Sequence, residues 1–426
     1  MFVTQAYDPG ETLLGVTADW VQALGSRFPG VDVIAQRGPG APLLLPRART
    51  PLRVASMGKD RGVGRVGQGA MLVASLARAA RRARVIFVHM VPRYALLAAP
   101  VARLAGVPIL LWYAHGTAGR ALRLAMPFVD RVVTPTRDSF PLAGPGIDRK
   151  VRVTGHGIDT GRHVPASGAA EPGLVLSAGR LSPVKRHELA IQAVAGGPEG
   201  SRLVIAGSPL HAADVAYREH LVGLAYSAPY ALNAPPLYPS PGETPAPTPT
   251  PLAGEERAYG GKSPPTEALR WKTGEGRDVP HPSPAERNHP QSPAPTLPGG
   301  DGRGVGRVTF GGDVPFAEMP QLYRRAWVLA HASRTGSLDK VVLEAAACGT
   351  LVVSSAPSSQ AILDAVPGLS VPDGDDEAFV ARVREVLAWS TERRSAAGRA
   401  LRAAVVSGHS LDHWADRVAA AIQEVG

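Results

Sequence analysis

The stretch SRTGSLDKVVLEAAACGTLVV, residues 333–353, reads as a loop, then a helix, then a buried strand. Val341, Val342, Leu343, Ala345 and Ala346 make the helix apolar, and Gly349 stands where it would close. TLVVSS then runs on as an apolar strand of the kind covered on both faces. One carboxylate, Glu344, interrupts the apolar helix. Ahead of it, Gly336 permits close backbone approach, and the amides of Ser337, Leu338 and Asp339 can be turned towards an anion where the helix begins. A carboxylate in such a run is either solvated or paired with hydroxyls, and a ribose diol offers two hydroxyls to one carboxylate. The plainer alternative makes Glu344 a solvated helix position and Asp339 an N-cap.

The same alternation extends in both directions. FVTQAY, VDVIA, RVIFVHM, VPILLWYAH, RVVTPT and VRVTGHG read as strands over residues 1–165, with helical patterns between them. Leu13, Val16, Trp20 and Leu24 recur at three- and four-residue steps and mark one helix face; Leu96 to Leu104 carry another. From residue 166 the pattern repeats. GLVLSAG, SRLVIAG, RVTFGG, WVLAHAS and TLVVSS are strands, and VKRHELAIQAVA, EMPQLYRRA and DKVVLEAAACG are helices. Two terminal helices follow, DEAFVARVREVLAW and SLDHWADRVAAAIQEV, the second N-capped by Ser410. This predicts an α/β protein with two doubly wound parallel sheets: an N-terminal domain 1–165, a C-terminal domain 166–410 and a closing helix 411–426. Open sheets of this type bind ligands at their carboxyl edges.

Between residues 228 and 303 the pattern breaks. The segment holds 18 of the chain's 41 prolines, between Pro229 and Pro298, and has no Ile, Phe or Met. It is expected to be a disordered insertion in the second domain. Docking to a proline-recognising partner and a gene-model error are the sharper readings.

Composition bounds the rest. The 426 residues suffice for two cores, 44% are apolar and only 5% aromatic, and the formal net charge is +10. A basic surface attracts phosphates or anionic headgroups. No basic run is interleaved with aromatics, so nucleic acid is not expected as a partner. RAARRAR, Arg78 to Arg84, reads as the solvated face of a helix, with contact to an anionic membrane as the sharper alternative. Cys348, the single cysteine, excludes a disulfide framework and a cysteine-based zinc site and reads as a small core residue. The N-terminal residues lack the pattern of a secretory signal, and no apolar run is long enough to span a bilayer. The chain is expected to be cytoplasmic, with peripheral contact at the inner membrane face allowed.

In SAGRLSPVKRHE, residues 177–188, a strand ends, Gly179 turns, and a helix is expected to begin near Val184 or Lys185. Arg180 and Lys185 beside such a helix start suit a diphosphate; alone they are ordinary surface charges. Together, SAGRLSPVKRHELAIQAV, GGDVPFAEMPQLY and SLDKVVLEAAACGTLVVSS resemble the retaining glycosyltransferase family 4, of GT-B fold. LLWYAHG and TGHGIDT agree more loosely. The resemblance spans nearly the whole chain outside the Pro-rich segment.

The resemblance implies that Gly179, Arg180 and Lys185 hold the donor diphosphate and that Glu344, the second glutamate of a Glu-x7-Glu motif, holds the donor ribose. Gly336 stands where the first glutamate would be. The backbone from Gly336 to Asp339 is expected to take over part of its role, and the donor sugar's identity is left open. His115, at the end of a strand, matches a histidine near the reacting sugar. Gly10 and Gly15 occupy the place of a Gly-rich loop. His89, Arg93, Tyr94 and His156 are candidates for the acceptor side. The implied reaction moves a sugar from a nucleotide-diphosphate donor to an acceptor hydroxyl, with retention and without cofactor or metal; the charge allows a lipid-linked or polysaccharide acceptor. Two rivals stand beside it. One is a nucleotide-sugar epimerase or hydrolase on the same fold. The other is a scaffold binding partners through the Pro-rich segment.

Overall fold

The computed structural model describes residues 1–8, 15–38, 52–166, 168, 170–227, 304–305 and 307–425. The expected disorder of 228–303, and the roles considered for Gly10 and Leu13, lie outside them. The first sheet is built from β1 (Phe2–Ala6), β2 (Val31–Arg37), β3 (Leu52–Ser56), β4 (Ile86–His89), β5 (Ile109–Trp112), β6 (Arg131–Thr134) and β7 (Val151–Val153). All seven are parallel, in the order β3-β2-β1-β4-β5-β6-β7. The connecting helices are α1 (Val16–Gly25), α2 (Arg65–Ala79), α3 (Pro92–Ala105), α4 (Arg120–Ala125) and the single turn α5 (Pro145–Asp148). Neither β3 nor α2 is legible in the periodicity. LRVAS leaves its central residues exposed at the sheet edge, and α2 is rich in glycine and alanine.

The second sheet takes β8 (Leu174–Ala178), β9 (Arg202–Ala206), β10 (Gly304–Val305), β11 (Val308–Gly312), β12 (Val328–His331) and β13 (Leu351–Ser354), ordered β10-β11-β9-β8-β12-β13. Only the short β10 runs antiparallel. Its helices are α6 (Glu188–Ala195), α7 (Ala212–Ser227), α8 (Met319–Arg325), α9 (Lys340–Ala347), α10 (Gln360–Leu363) and α11 (Asp376–Leu387). In each sheet the strand order reverses at the first strand, β1 or β8, and that reversal opens a crevice at the carboxyl edge.

Two expectations need correction at the C-terminus and in the Arg-rich run. A third helix, α12 (Thr391–His409), lies between the two terminal helices and is the longest described. Its face is interrupted by Gly398 and Ser407 and buries only Ala397, Gly398, Leu401 and Val405, too few to give a clear period. RAARRAR straddles the end of α2 and a following tight turn, Ala80–Arg82, rather than forming one helix face.

The last helix, α13 (Leu411–Gln423), is capped by Ser410, whose hydroxyl accepts from the His413 amide. It leaves the second domain and packs against α1 of the first. Trp414 stacks on Trp20 with ring centroids 4.5 Å apart, and Trp112 meets Trp20 edge-on at 4.7 Å. Leu24, Val418 and Ile422 extend this apolar layer on one side of the first sheet. On the opposite side α2, α3 and α4 lie side by side, and Leu72 and Leu76 of α2 share a core with Val88 and Leu111 of the sheet. At the crossing, Ile158 and Ser410 form a parallel bridge: the Ile158 amide donates to His409 O and the Leu411 amide to Ile158 O, both at 2.8 Å.

Candidate functional site

The carboxyl edge of the second sheet holds a cavity of about 320 Å³ at the strand reversal. β8 ends in Gly179 and β9 in Gly207, and both backbones run at strongly positive φ, +140° and +144°. A Cβ on Gly207 would sit 1.9 Å from the Gly179 carbonyl oxygen, so the approach of the two strand ends requires glycine. Arg180 follows and lines the cavity; its Nε donates to Ser182 Oγ at 3.3 Å and lies 3.9 Å from Asp214. The expected helix start at Lys185 is not formed. Pro183–Lys185 make one tight turn, Arg186 takes a left-handed conformation, and α6 begins at Glu188.

Lys185 is correspondingly redirected. Its stem lies along Gly179, and its ammonium pairs with Asp339 at 2.6 Å. Asp339 also accepts from His331 Nε2 at 2.8 Å, and the far side of that ring bonds Ser354. Burial opposes the charge on Asp339, but Lys185 and His331 together hold its carboxyl well below the ordinary carboxylate range. Asp339 precedes α9 in the N-cap position, yet its side chain caps no amide. The amides expected to face an anion are also partly committed, since Leu338 N–H donates to Ser139 Oγ of the first domain at 3.3 Å. Gly336, at φ +72°, presses on Gly116 closely enough that a Cβ on Gly116 would stand 3.0 Å from the Gly336 Cα. Ser337 lies beside this contact, half-buried.

Glu344 is buried in α9 and is not a solvated position. Tyr323 donates to its Oε2 at 2.7 Å, and the carboxylate lines the cavity with Arg180. Lys340, four residues earlier on the same helix face, lines it too. Burial lowers the Lys340 pKa from the ordinary lysine value, against the pull of Glu344, Asp19 and Asp339. Asp19 of α1 is held by Arg162 in a two-pronged pair at 2.5 and 2.8 Å. Sequence reasoning missed Lys340, Tyr323, Asp19 and Gly207. Only Lys340 had a local signal, a cation at the i,i+4 spacing from Glu344.

The first-domain candidates separate. His115 is exposed in the loop after β5, next to Gly116. The Thr117 amide donates to its Nδ1 at 3.2 Å, which places the proton of the neutral ring on Nε2. His89 and His156 belong instead to the aromatic core around Trp20. His89 Nδ1 bonds Thr4 Oγ1 at 3.0 Å, and His156 Nδ1 has no partner. Burial, with the nearby Lys340 charge, pushes both down to about 3. Gly15 is buried at the start of α1 with ordinary helical geometry. Arg93 is exposed at the start of α3, away from the donor-side cavity, and Tyr94 is buried. Cys348 is buried as expected. Among the described residues, no three His, Cys, Asp or Glu side chains cluster as a metal site, and no helix is long and apolar enough to cross a membrane.

Two facing Rossmann-like sheets, a cavity at one carboxyl edge and a final helix returned to the first sheet define a GT-B fold. Residues 292–388, which include β11, β12 and α9, match the family model described as Glycosyl transferases group 1. HepE of Anabaena, solved in complex with UDP and glucose, superposes with a TM-score of 0.65 at 17% identity, covering 99% of this chain and 98% of HepE. Sucrose-phosphate synthase from Thermosynechococcus elongatus gives 0.64 at 16% identity, covering 100% and 99%. The UDP-forming α,α-trehalose-phosphate synthase of Burkholderia xenovorans gives 0.60 at 13%, covering 99% and 100%. No protein of curated function matches the sequence.

Proposed function

We propose that the chain is a retaining glycosyltransferase that moves a sugar from a nucleoside-diphosphate sugar to an acceptor hydroxyl without a metal or other cofactor. One observation carries the reading. The segment matching the group 1 glycosyl transferases supplies Tyr323, Lys340 and Glu344 to the cavity that Gly179 and Arg180 close from the other side. A UDP-type donor is supported by HepE, whose structures are in complex with UDP and with UDP-glucose.

In this reading Glu344, oriented by Tyr323, accepts from the ribose hydroxyls. Arg180 and Lys340 oppose the charge that grows on the leaving diphosphate, inside a site partly shielded from water. Lys185, paired with Asp339, sets the turn that carries Arg180. His115 presents its Nε2 proton to the sugar or its phosphate. The acceptor proton passes to a donor phosphate oxygen on the face from which the leaving group departs, which gives retention. A thermal-shift screen against nucleoside diphosphates and their sugars tests the donor, since a ligand bound to the native state alone raises its stability. A hit followed by acceptor-dependent release of nucleoside diphosphate supports transfer. No stabilisation by any of them sinks the proposal.

A further inference from the structure

A second cavity, of about 530 Å³, opens between α2 and α3 on the first domain. Gln5 near the end of β1, Gln36 near the end of β2 and Met57 just after β3 line it, so it too lies at a carboxyl edge. That edge meets the second sheet's edge through the Gly116–Gly336 and Ser139–Leu338 contacts. Three cations line the cavity: Lys59 in the turn after β3, Arg65 at the start of α2 and Arg93 at the start of α3. All three are exposed, and no carboxylate of a described residue forms an ion pair with them. Further in, Gln36 donates to Gln68 at 2.8 Å, and the lining includes no described acidic residue.

The charge lining this opening is one-sided. From Met57 to Val129 the chain has eleven bases and a single acid, Asp60; three of the bases, Lys59, Arg65 and Arg93, line this cavity, while Arg78, Arg81, Arg82 and Arg103 lie at or just past the far ends of α2 and α3. Every one of the eleven bases is exposed. Arg65 and Arg93 come from separate helices to one cavity, and two arginines so placed can grip a phosphate by several oxygens. Glutamine amides suit the hydroxyls of a sugar. Val66, 87% exposed beside Arg65, and Leu97, 39% exposed on the lining, add an apolar lip that a lipid chain could cover.

We infer that this cavity binds the acceptor and that the acceptor carries a phosphate group, held by Lys59, Arg65 and Arg93. The inference rests on the glycosyltransferase reading and names the substrate class that reading leaves open. The phosphate comes either from a soluble sugar phosphate or from a lipid-linked one.

The test uses the full chain with its donor cavity saturated by UDP, so that phosphate cannot report on that site. Calorimetry compares glucose 6-phosphate and mannose 6-phosphate with the parent hexoses. Sedimentation compares phosphatidylcholine vesicles with and without phosphatidic acid. The Arg65→Glu, Arg93→Glu double variant is measured beside Arg81→Glu, Arg103→Glu, which makes the same charge change at exposed positions outside the cavity. Phosphate-dependent binding in either arm, weakened at least about tenfold by the cavity pair and much less by the control pair, is expected. A response in the first arm alone identifies a soluble acceptor, and one in the second alone a lipid-linked acceptor. Equal loss in both double variants, or no preference for phosphate in either arm, overturns the inference. UDP binding to the wild type separates this failure from that of the donor assignment: with UDP bound and no phosphate preference, only the acceptor inference falls.

Discussion

Replacing Asp339 by Asn tests the local logic of the second domain. Asp339 joins α9 to the Gly179 turn through Lys185, at 2.6 Å, and to β12 through His331, at 2.8 Å. The paired side chains are only 14% and 16% exposed, so solvent screens the pair weakly. Asn keeps the shape but leaves the Lys185 ammonium buried beside a neutral amide. Removing one partner of such a pair costs about 3–5 kcal/mol, most of it the stranded charge. For a domain of this size each kcal/mol moves the midpoint by roughly 2–4 °C, so Asp339→Asn should lower Tm by roughly 6–20 °C.

The pH dependence has a fixed sign. A carboxyl held below its ordinary range contributes stability that is complete above its unfolded pKa, near 3.9, and is lost as pH falls through the folded value. The gap between wild type and variant should therefore be flat from about pH 5 to 8 and narrow only below about pH 4. Calorimetric scans across that range measure it. Adding Lys185→Met removes the stranded charge and should restore part of the loss. A Tm change under about 2 °C for Asp339→Asn, or a double variant no more stable than the single, refutes the argument.

Three further outcomes are expected. Arg180→Ala should cut turnover of a nucleotide-sugar donor by roughly a hundredfold while leaving the urea midpoint unchanged, because its side chain is 36% exposed and its role is to meet developing charge. Gly207→Ala should cost about 3 kcal/mol or more by urea unfolding, since its Cβ has no room beside the Gly179 oxygen; Gly200→Ala, also at positive φ but with open space around it, should lose only about 1–2 kcal/mol. Trp414→Ala should destabilise by about 3–5 kcal/mol and weaken intrinsic fluorescence, because it empties the stack on Trp20.

The fold was legible where burial on two faces wrote continuous apolar runs. IFVH, ILLW, LVLSA, VLAH and LVVS are each buried from end to end, and each is a strand. It was illegible where burial is partial, as in β3 at a sheet edge and in α12 with its narrow buried stripe. The site divides along the same line. Gly179, Arg180 and Glu344, which line one cavity, could be singled out because a turn, a strand end and a charge in an apolar helix are local facts. That Lys185 would be spent on Asp339, and the Leu338 amide on Ser139, depends on partners 154 and 199 residues away. His89 and His156 illustrate the opposite error: a histidine at or beyond a strand end resembles a site residue until the aromatic layer that encloses it is known.

The return of α13 to the first domain has a consequence for the order in which the molecule can form. On a ribosome, the apolar face of α1 emerges early, with Trp20 and Leu24 uncovered. Its cover is made far later; Arg27 and Asp416, which clasp the two helices together, are 389 residues apart. Closing so long a loop carries an entropic cost that only the finished second domain offsets, by bringing Ser410 to Ile158. The first domain to be synthesised is thus the last to be completed, with the apolar face of α1 lacking its α13 cover until then. A nascent chain stalled before α13 should be markedly more protease-sensitive in α1 than the released protein.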